Sequence, residues 1–287
     1  MQDSYILAAL SSMCFYGFSD VVFKVAARKG LPSHQFLILQ TIFFLPCALL
    51  LGLTTHSIHI GAPFFYGMCA GVTLYFALLY FAISLSTGDV SIVAPVFRSS
   101  FILASLLAII FLNESISVTK VIAFVLAVVA AFLLLSSLKP GAPKATDLKK
   151  TRNTIRTLTI ATLLMGITGF IYKLAATAGG NSMSIVNGQV AVFFPLAFLT
   201  CYYREKKIVI AWKCIHLGCA AALFLFSGLY LLLEALKFGP ASTIVPISQM
   251  GFVITAILGV FIFKEKVSAQ KILGLFFTVG AIFLLSQ

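Results

Sequence analysis

Only eight of the 287 residues are aspartate or glutamate, and charged residues of either sign make up just 10% of the chain. A soluble domain carries about 25%, so the polar surface needed to cover a water-soluble core is missing. The carboxylates are also scattered. No apolar segment holds a pair of aspartates, and neither Glu114 nor Glu265 has a second carboxylate close by in sequence. Two-carboxylate acid–base chemistry therefore has no candidate, and HExxH and GxSxG are absent. The sequence predicts no catalytic residue and no enzyme. Histidine is scarce, and His56 and His59 in one short loop are too few for a structural metal site. The six cysteines, Cys14, Cys47, Cys69, Cys201, Cys214 and Cys219, show no metal-ligand spacing and read as small buried apolar side chains. No metal and no cofactor is expected.

Twenty lysines and arginines leave a formal net charge of +12. No basic stripe with interleaved aromatics accompanies it, which argues against a nucleic-acid partner. The basic residues lie between apolar runs, where they act as a topology signal.

Hydrophobic residues make up 61% of the sequence. Runs of about 20 apolar residues, enough to cross a bilayer as a helix, recur at about 4–26, 34–53, 62–85, 90–112, 117–138, 155–176, 183–203, 214–237, 240–263 and 267–286. Lipid cannot satisfy free backbone groups and no alternating barrel pattern occurs, so helices are expected. The fold class is thus an all-α integral membrane protein with ten transmembrane helices. The first run lacks a basic leader, contains Asp20 and Lys24, and is read as a retained span.

The halves match. Gly17, Lys24, Gln40 and Pro46 meet Gly166, Lys173, Gln189 and Pro195 at a constant spacing. Gly67, Gly88, Ser91, Pro95, Phe101, Glu114, Ser117 and Lys120 meet Gly218, Gly239, Ser242, Pro246, Phe252, Glu265, Ser268 and Lys271, two residues further on. Apolar bias alone would not keep Gly, Pro, Gln, Glu and Lys in register. The expected domains are a first repeat, 1–138, a basic Pro-containing linker, 139–154, and a second repeat, 155–287. Five spans per half send the second repeat into the membrane from the opposite side, so the two are inverted. That is the plan of secondary transporters, with the site near the midplane.

The segments "VAPVFRSSFILASLLAIIFLNESIS" (93–117) and "IVPISQMGFVITAILGVFIFKEKVS" (244–268) carry a mid-span Pro and a Glu before a short last span. With the small–polar–Lys pattern of the first span, they make the chain resemble the EamA family of the drug/metabolite transporter superfamily. The family's usual Gly before the motif Glu is Asn113 or Lys264 here, and its frequent Trp-Gly is Tyr16-Gly17. The resemblance implies a multi-pass permease of the cell's inner (plasma) membrane. It also implies a cavity lined by spans 1, 3, 4, 6, 8 and 9.

The loops after odd-numbered spans and their flanks hold most of the basic residues, among them Arg28, Lys29, Lys149, Lys150, Arg204, Lys206 and Lys207. The positive-inside rule places that face in the cytoplasm and both termini outside. Proteins that this one resembles are more usually drawn with both termini inside. We follow the charge count.

Charges near the bilayer centre cost about 2.5–3.5 kcal/mol on insertion scales and normally face a partner or a wet cavity. Asp20 and Arg98 should lie at similar depth and could pair, or could bind a cation and a carboxylate or phosphate respectively. Lys24, one turn from Asp20, is close enough to the interface to snorkel. Gln249 and Gly169 stand where the second half would repeat Arg98 and Asp20. The candidate substrate-binding residues are Asp20, Arg98, Tyr16, Tyr75, Tyr80, Tyr172, Tyr230 and Gln249. Lys24, Pro95, Lys173, Glu234 and Pro246 are candidates for gating or coupling, the prolines because they disturb the helix and let it rock. Glu114 and Glu265 read as caps or ion pairs at a turn, with Lys120 and Lys271 in reach, and Trp212 as an interface anchor.

The expected function is transport of small organic solutes by alternating access. Amino acids or related amphipathic metabolites suit an Asp, an Arg and aromatic walls, and the resemblance favours export. The alternatives are a cationic drug exporter and a lipid or polyprenyl carrier flippase. The expected partners are the solute and membrane lipids. The oligomeric state is left open, a monomer included.

Overall fold

The computed structural model describes residues 2–112, 117–136, 145–179, 181–207, 209–238, 241–265 and 267–286. Every regular element among them is a helix. In order they are α1 (Gln2–Arg28), α2 (Ser33–Thr54), α3 (Ala62–Thr87), α4 (Val90–Arg98), α5 (Phe101–Leu112), α6 (Val118–Ser136), α7 (Ala145–Thr177), α8 (Ser182–Glu205), α9 (Ile215–Phe238), α10 (Ala241–Gln249), α11 (Gly251–Phe263) and α12 (Ala269–Ser286). A short 3-10 turn, Trp212–Cys214, leads into α9. α7 begins at Ala145, inside the polar segment that joins the halves.

Local chemistry sets the ends. Gly30, at φ +72°, lets the Leu31 N–H reach back to the Ala26 carbonyl, 3.2 Å away, and stops α1. Pro32 precedes α2, Pro63 sits in the first turn of α3, and Asn181 Oδ1 accepts from the Met183 N–H to start α8.

Among the described residues, seven helical segments are long and apolar enough to cross a membrane: Tyr5–Arg28, Ser33–Thr54, Ala62–Thr87, Ile92–Leu112, Thr151–Thr177, Ser182–Glu205 and Trp212–Ala235. Three shorter apolar segments, Val121–Leu134, Ile247–Phe263 and Ala269–Ala281, fall where the remaining spans are expected.

Two expected spans are not single helices. The run 90–112 breaks at Ser99–Ser100, and 240–263 breaks at Met250. The breaks occupy matched positions and share a device. The Ile102 N–H bonds to the Ser99 carbonyl at 3.0 Å, and the Val253 N–H to the Met250 carbonyl at 2.9 Å, each a tight three-residue closure. Both fall four residues beyond Pro95 and Pro246. Pro46 and Pro195, by contrast, lie inside the continuous helices α2 and α8.

The halves interleave. α3 packs on α7 and α8, and its counterpart α9 packs on α1 and α2; α6 lies against its counterpart α12, and α2 against α8. Close crossings repeat across the pseudo-symmetry. A Cβ on Gly17 would stand 2.7 Å from the Gly251 carbonyl oxygen. The counterpart crossing sets Gly166 against Ser100, whose carbonyl oxygen would be 2.9 Å from an added Cβ. Without a hydrophobic force between helices in lipid, such small-residue contacts are what lets them pack tightly. Of the cysteines only Cys201 is buried; Cys69 is exposed and the other four are intermediate, which corrects their reading as core side chains.

Candidate functional site

A cavity lies where α1, α2, α3, α4, α7, α8 and α9 converge. Its walls enclose about 690 Å³ of space, part of it open to the outside. The lining is paired across the two halves. Phe23 faces Tyr172 in this sense, Gln40 faces Gln189, Phe44 faces Phe193, Leu74 faces Leu225 and Leu78 faces Leu229, each at the repeat spacing. The cavity is therefore lined by matched positions of both halves. Ser19, Asp20, Phe97 and Arg98 extend it into the first half, and their counterparts in the second half do not line it.

Asp20 and Arg98 meet at the end of that extension. Arg98 Nη2 donates to Asp20 Oδ1 at 2.8 Å and Nε to Oδ2 at 3.2 Å, a bidentate pair. The residues are 2% and 3% exposed. The Arg98 guanidinium also lies over the Tyr16 ring, 4.6 Å from its centroid. Arg98 is the last residue of α4, so the helix break at Ser99–Ser100 carries it to the cavity wall. There the Val96 carbonyl, freed near the break, accepts from Ser99 Oγ at 2.6 Å and from Thr162 Oγ1 at 3.3 Å.

Four of the eight residues expected at the substrate reach the cavity: Tyr16, Asp20, Arg98 and Tyr172. Tyr75, Tyr80, Tyr230 and Gln249 are not among its lining residues. Tyr75 is fully buried against the Phe76 and Phe193 rings, and the Tyr230 ring stacks on Phe226. Gln249 is buried with its Oε1 unpartnered. The polar cavity residues that the sequence reading passed over are Ser19, Gln40, Thr41 and Gln189. A signal existed for two of them, because Gln40 and Gln189 keep register between halves as polar residues inside apolar runs.

The gating candidates lie elsewhere. Lys24 does not snorkel. It is 8% exposed, and its Nζ donates to the Leu85 carbonyl at 3.0 Å and to the Gly88 carbonyl. It closes the C-terminus of α3, where free carbonyls and the helix dipole favour a cation. Pro95 lies in α4 and Pro246 in α10. Lys173 and Glu234 are half-buried, off the cavity lining, and engaged in interactions of their own.

A second set of contacts ties the α3–α4 turn to the other half. Glu265 Oε1 accepts from the Val90 N–H at 2.8 Å, at the N-terminus of α4. Lys271 Nζ stands 3.6 Å from both Glu265 Oε2 and Asp89 Oδ2. Arg28 Nη2 donates to the Phe263 carbonyl at 2.9 Å, the last residue of α11. Glu265 thus caps as expected, on a helix of the opposite half. Glu114 lies outside the described residues, as does the side chain of Lys120. Trp212 is exposed. No cluster of three or more metal-ligating side chains occurs among the described residues.

Residues 3–136 and 154–287 each match the EamA-like transporter family. The chain belongs to that family. This EamA protein is a multi-pass membrane protein built of two related repeats. It is 33% identical over 99 residues, 31% of this chain and 88% of the relative, to a protein of Hamiltonella defensa subsp. Acyrthosiphon pisum (strain 5AT). That relative is described as "Probable 4-amino-4-deoxy-L-arabinose-phosphoundecaprenol flippase subunit ArnE". One protein of known crystal structure superimposes with a TM-score of 0.67 at 14% identity, over 98% of this chain and 96% of that one, and so shares the fold.

Proposed function

We propose that this EamA transporter carries small amphipathic organic solutes across the cell's inner (plasma) membrane, by alternating access of the central cavity. Amino acids and related metabolites are the favoured class and export the favoured direction. Ten spans in two inverted repeats, 1–138 and 155–287 joined by 139–154, supply the machinery. The observation that carries the reading is the cavity lined by both halves, apolar and aromatic over most of its wall, with a self-neutralised Asp20–Arg98 pair at one end. Transporters with inverted repeats bind near the midplane at the repeat interface. The pair alters the expected chemistry of Arg98. Two of its five N–H donors are engaged by Asp20, so a carboxylate ligand meets a guanidinium whose charge is already balanced and whose bidentate face is taken.

The contacts around the α3–α4 turn support a role as the closed gate of one face. Lys24, Glu265 and Lys271 reach that turn from α1 and from the other half. Opening to that face would require them to part.

A second reading, a carrier of lipid-linked sugars, is favoured by the flippase subunit among the relatives. Uptake into proteoliposomes separates the two. Counterflow of radiolabelled amino acids that unlabelled amino acids compete away supports the solute carrier. No counterflow, with accelerated transbilayer movement of a polyprenyl-phosphate sugar, replaces it with the lipid carrier.

A further inference from the structure

Gln40 on α2 and Gln189 on α8 hold matched places, and both line the cavity. Their surroundings differ in one hydroxyl that bears on the amide. In the second half the Tyr172 hydroxyl donates to Gln189 Oε1. The residue matched to Tyr172 is Phe23, which also lines the cavity and has no hydroxyl. Gln40 is 3% exposed, and its Oε1 is buried without a hydrogen-bond partner. Ser19 on α1 also lines the cavity, and its Oγ is likewise buried and unpartnered. Buried polar groups are nearly always paired. Gln40 lines the cavity, so a turn of its amide brings this orphaned acceptor to the donor of a ligand.

We propose that Gln40 Oε1, together with Ser19 Oγ, receives the hydrogen-bond donor of the transported solute, and that Phe23 keeps this acceptor available by withholding the hydroxyl that Tyr172 supplies in the other half. The inference rests on the cavity being the solute site. The charges narrow the ligand further. Asp20 and Arg98 are the charged residues of the cavity lining, and they neutralise each other. A solute of net charge would enter this apolar space uncompensated. The solute class is thus net-neutral, zwitterion or polyol, with an N–H or O–H donor at one end. Its body is aromatic or branched aliphatic and lies against Phe44, Phe193 and the paired leucines. A site that hydrogen-bonds a ligand donor discriminates strongly against the analogue lacking it, because its own acceptor is left unpaired.

The test uses the purified full chain. The first arm needs no ligand. Gln40→Leu removes an unpartnered acceptor and is expected to hold or raise the melting temperature, whereas Gln189→Leu strands the Tyr172 hydroxyl and lowers it. An equal loss in both variants shows that Gln40 is satisfied within the protein and overturns the proposal.

The second arm measures binding of L-phenylalanine, of its N,N,N-trimethyl betaine, which keeps the charges but has no N–H, and of phenyl β-D-glucoside. At least one donor-bearing probe is expected to bind about ten-fold tighter than the betaine. Phe23→Tyr is expected to remove that advantage while folding at least as stably as the wild type. Equal affinity for L-phenylalanine, betaine and glucoside, or an undiminished advantage in Phe23→Tyr, sinks the role of Gln40 and leaves the solute-carrier reading standing. Binding of none of the three by the wild type sinks the net-neutral solute class and the proposed function with it.

Discussion

Glu265 Oε1 lies 2.8 Å from the backbone nitrogen of Val90, so a carboxylate of the second half caps the first turn of a helix in the first half. The α4 helix that it caps ends at Arg98 on the cavity wall. The contact therefore joins the turn at one face of the protein to the ion pair near its centre. Val90 and Arg98 are the first and last residues of the same nine-residue helix.

Glu265→Gln keeps the shape and removes the charge. The charge-assisted bond to Val90 and the attraction of Lys271 both weaken, by about 1–2 kcal/mol together. Hydrogen–deuterium exchange of residues 86–94 is expected to speed up by about ten-fold. Unchanged exchange would show that the α3–α4 turn is held without Glu265, by Lys24 and the Lys271–Asp89 contact.

Asp20→Asn leaves the Arg98 charge buried without its counterion. Breaking a buried pair from one side costs about 3–5 kcal/mol, and Arg98→Gln, which leaves Asp20 alone, is expected to be comparably harmful. The double variant Asp20→Asn with Arg98→Gln, neutral as the second half is at Gly169 and Gln249, should recover much of the loss. Thermal unfolding in detergent, set out as a double-mutant cycle, checks this. Additive losses would mean that the pair contributes nothing as a pair.

Gly17→Val places atoms where the Gly251 carbonyl already stands, 2.7 Å from an added Cβ. Overpacking of this kind costs about 1–3 kcal/mol. Gly280, with no atom within 4 Å of an added Cβ, is the control, and Gly280→Ala should be neutral. Melting temperatures that fall equally for both would refute the close crossing of α1 and α11.

The charge asymmetry between faces makes a topological prediction. A reporter active only in the cytoplasm should work when inserted in the basic loop after α8, near Lys206, and fail when fused after Gln287. The opposite result inverts the orientation while leaving the repeats untouched.

Much of the architecture was legible in the chain because the bilayer imposes a length on each element. Apolar runs separated by basic or Gly/Pro-containing breaks marked the helices, and Gly17, Gln40, Pro95 and their counterparts recorded the repeat. The breaks within α4–α5 and α10–α11 were less legible. Pro95 and Pro246 announced a disturbance, but the chain opens four residues later, where the tight closures at Ser99 and Met250 form. Half of the expected binding residues missed the cavity for a physical reason. In lipid the outer face of a helix is as apolar as its packed face, so the sequence pattern does not say which way Tyr75, Tyr80 or Tyr230 points.

The sequence by itself determined that this protein is a membrane-embedded bundle of two matched halves with few, costly charges inside it, since hydropathy and spacing are properties of the chain. Only the tertiary structure decided that Asp20 and Arg98, 78 residues apart, neutralise each other, that Lys24 closes a helix end instead of reaching for water, and that Gln40 alone of its pair lacks a donor. Those outcomes depend on how helices from opposite halves approach and rotate about one another. That geometry comes from the mutual fit of the two repeats, which neither half encodes alone.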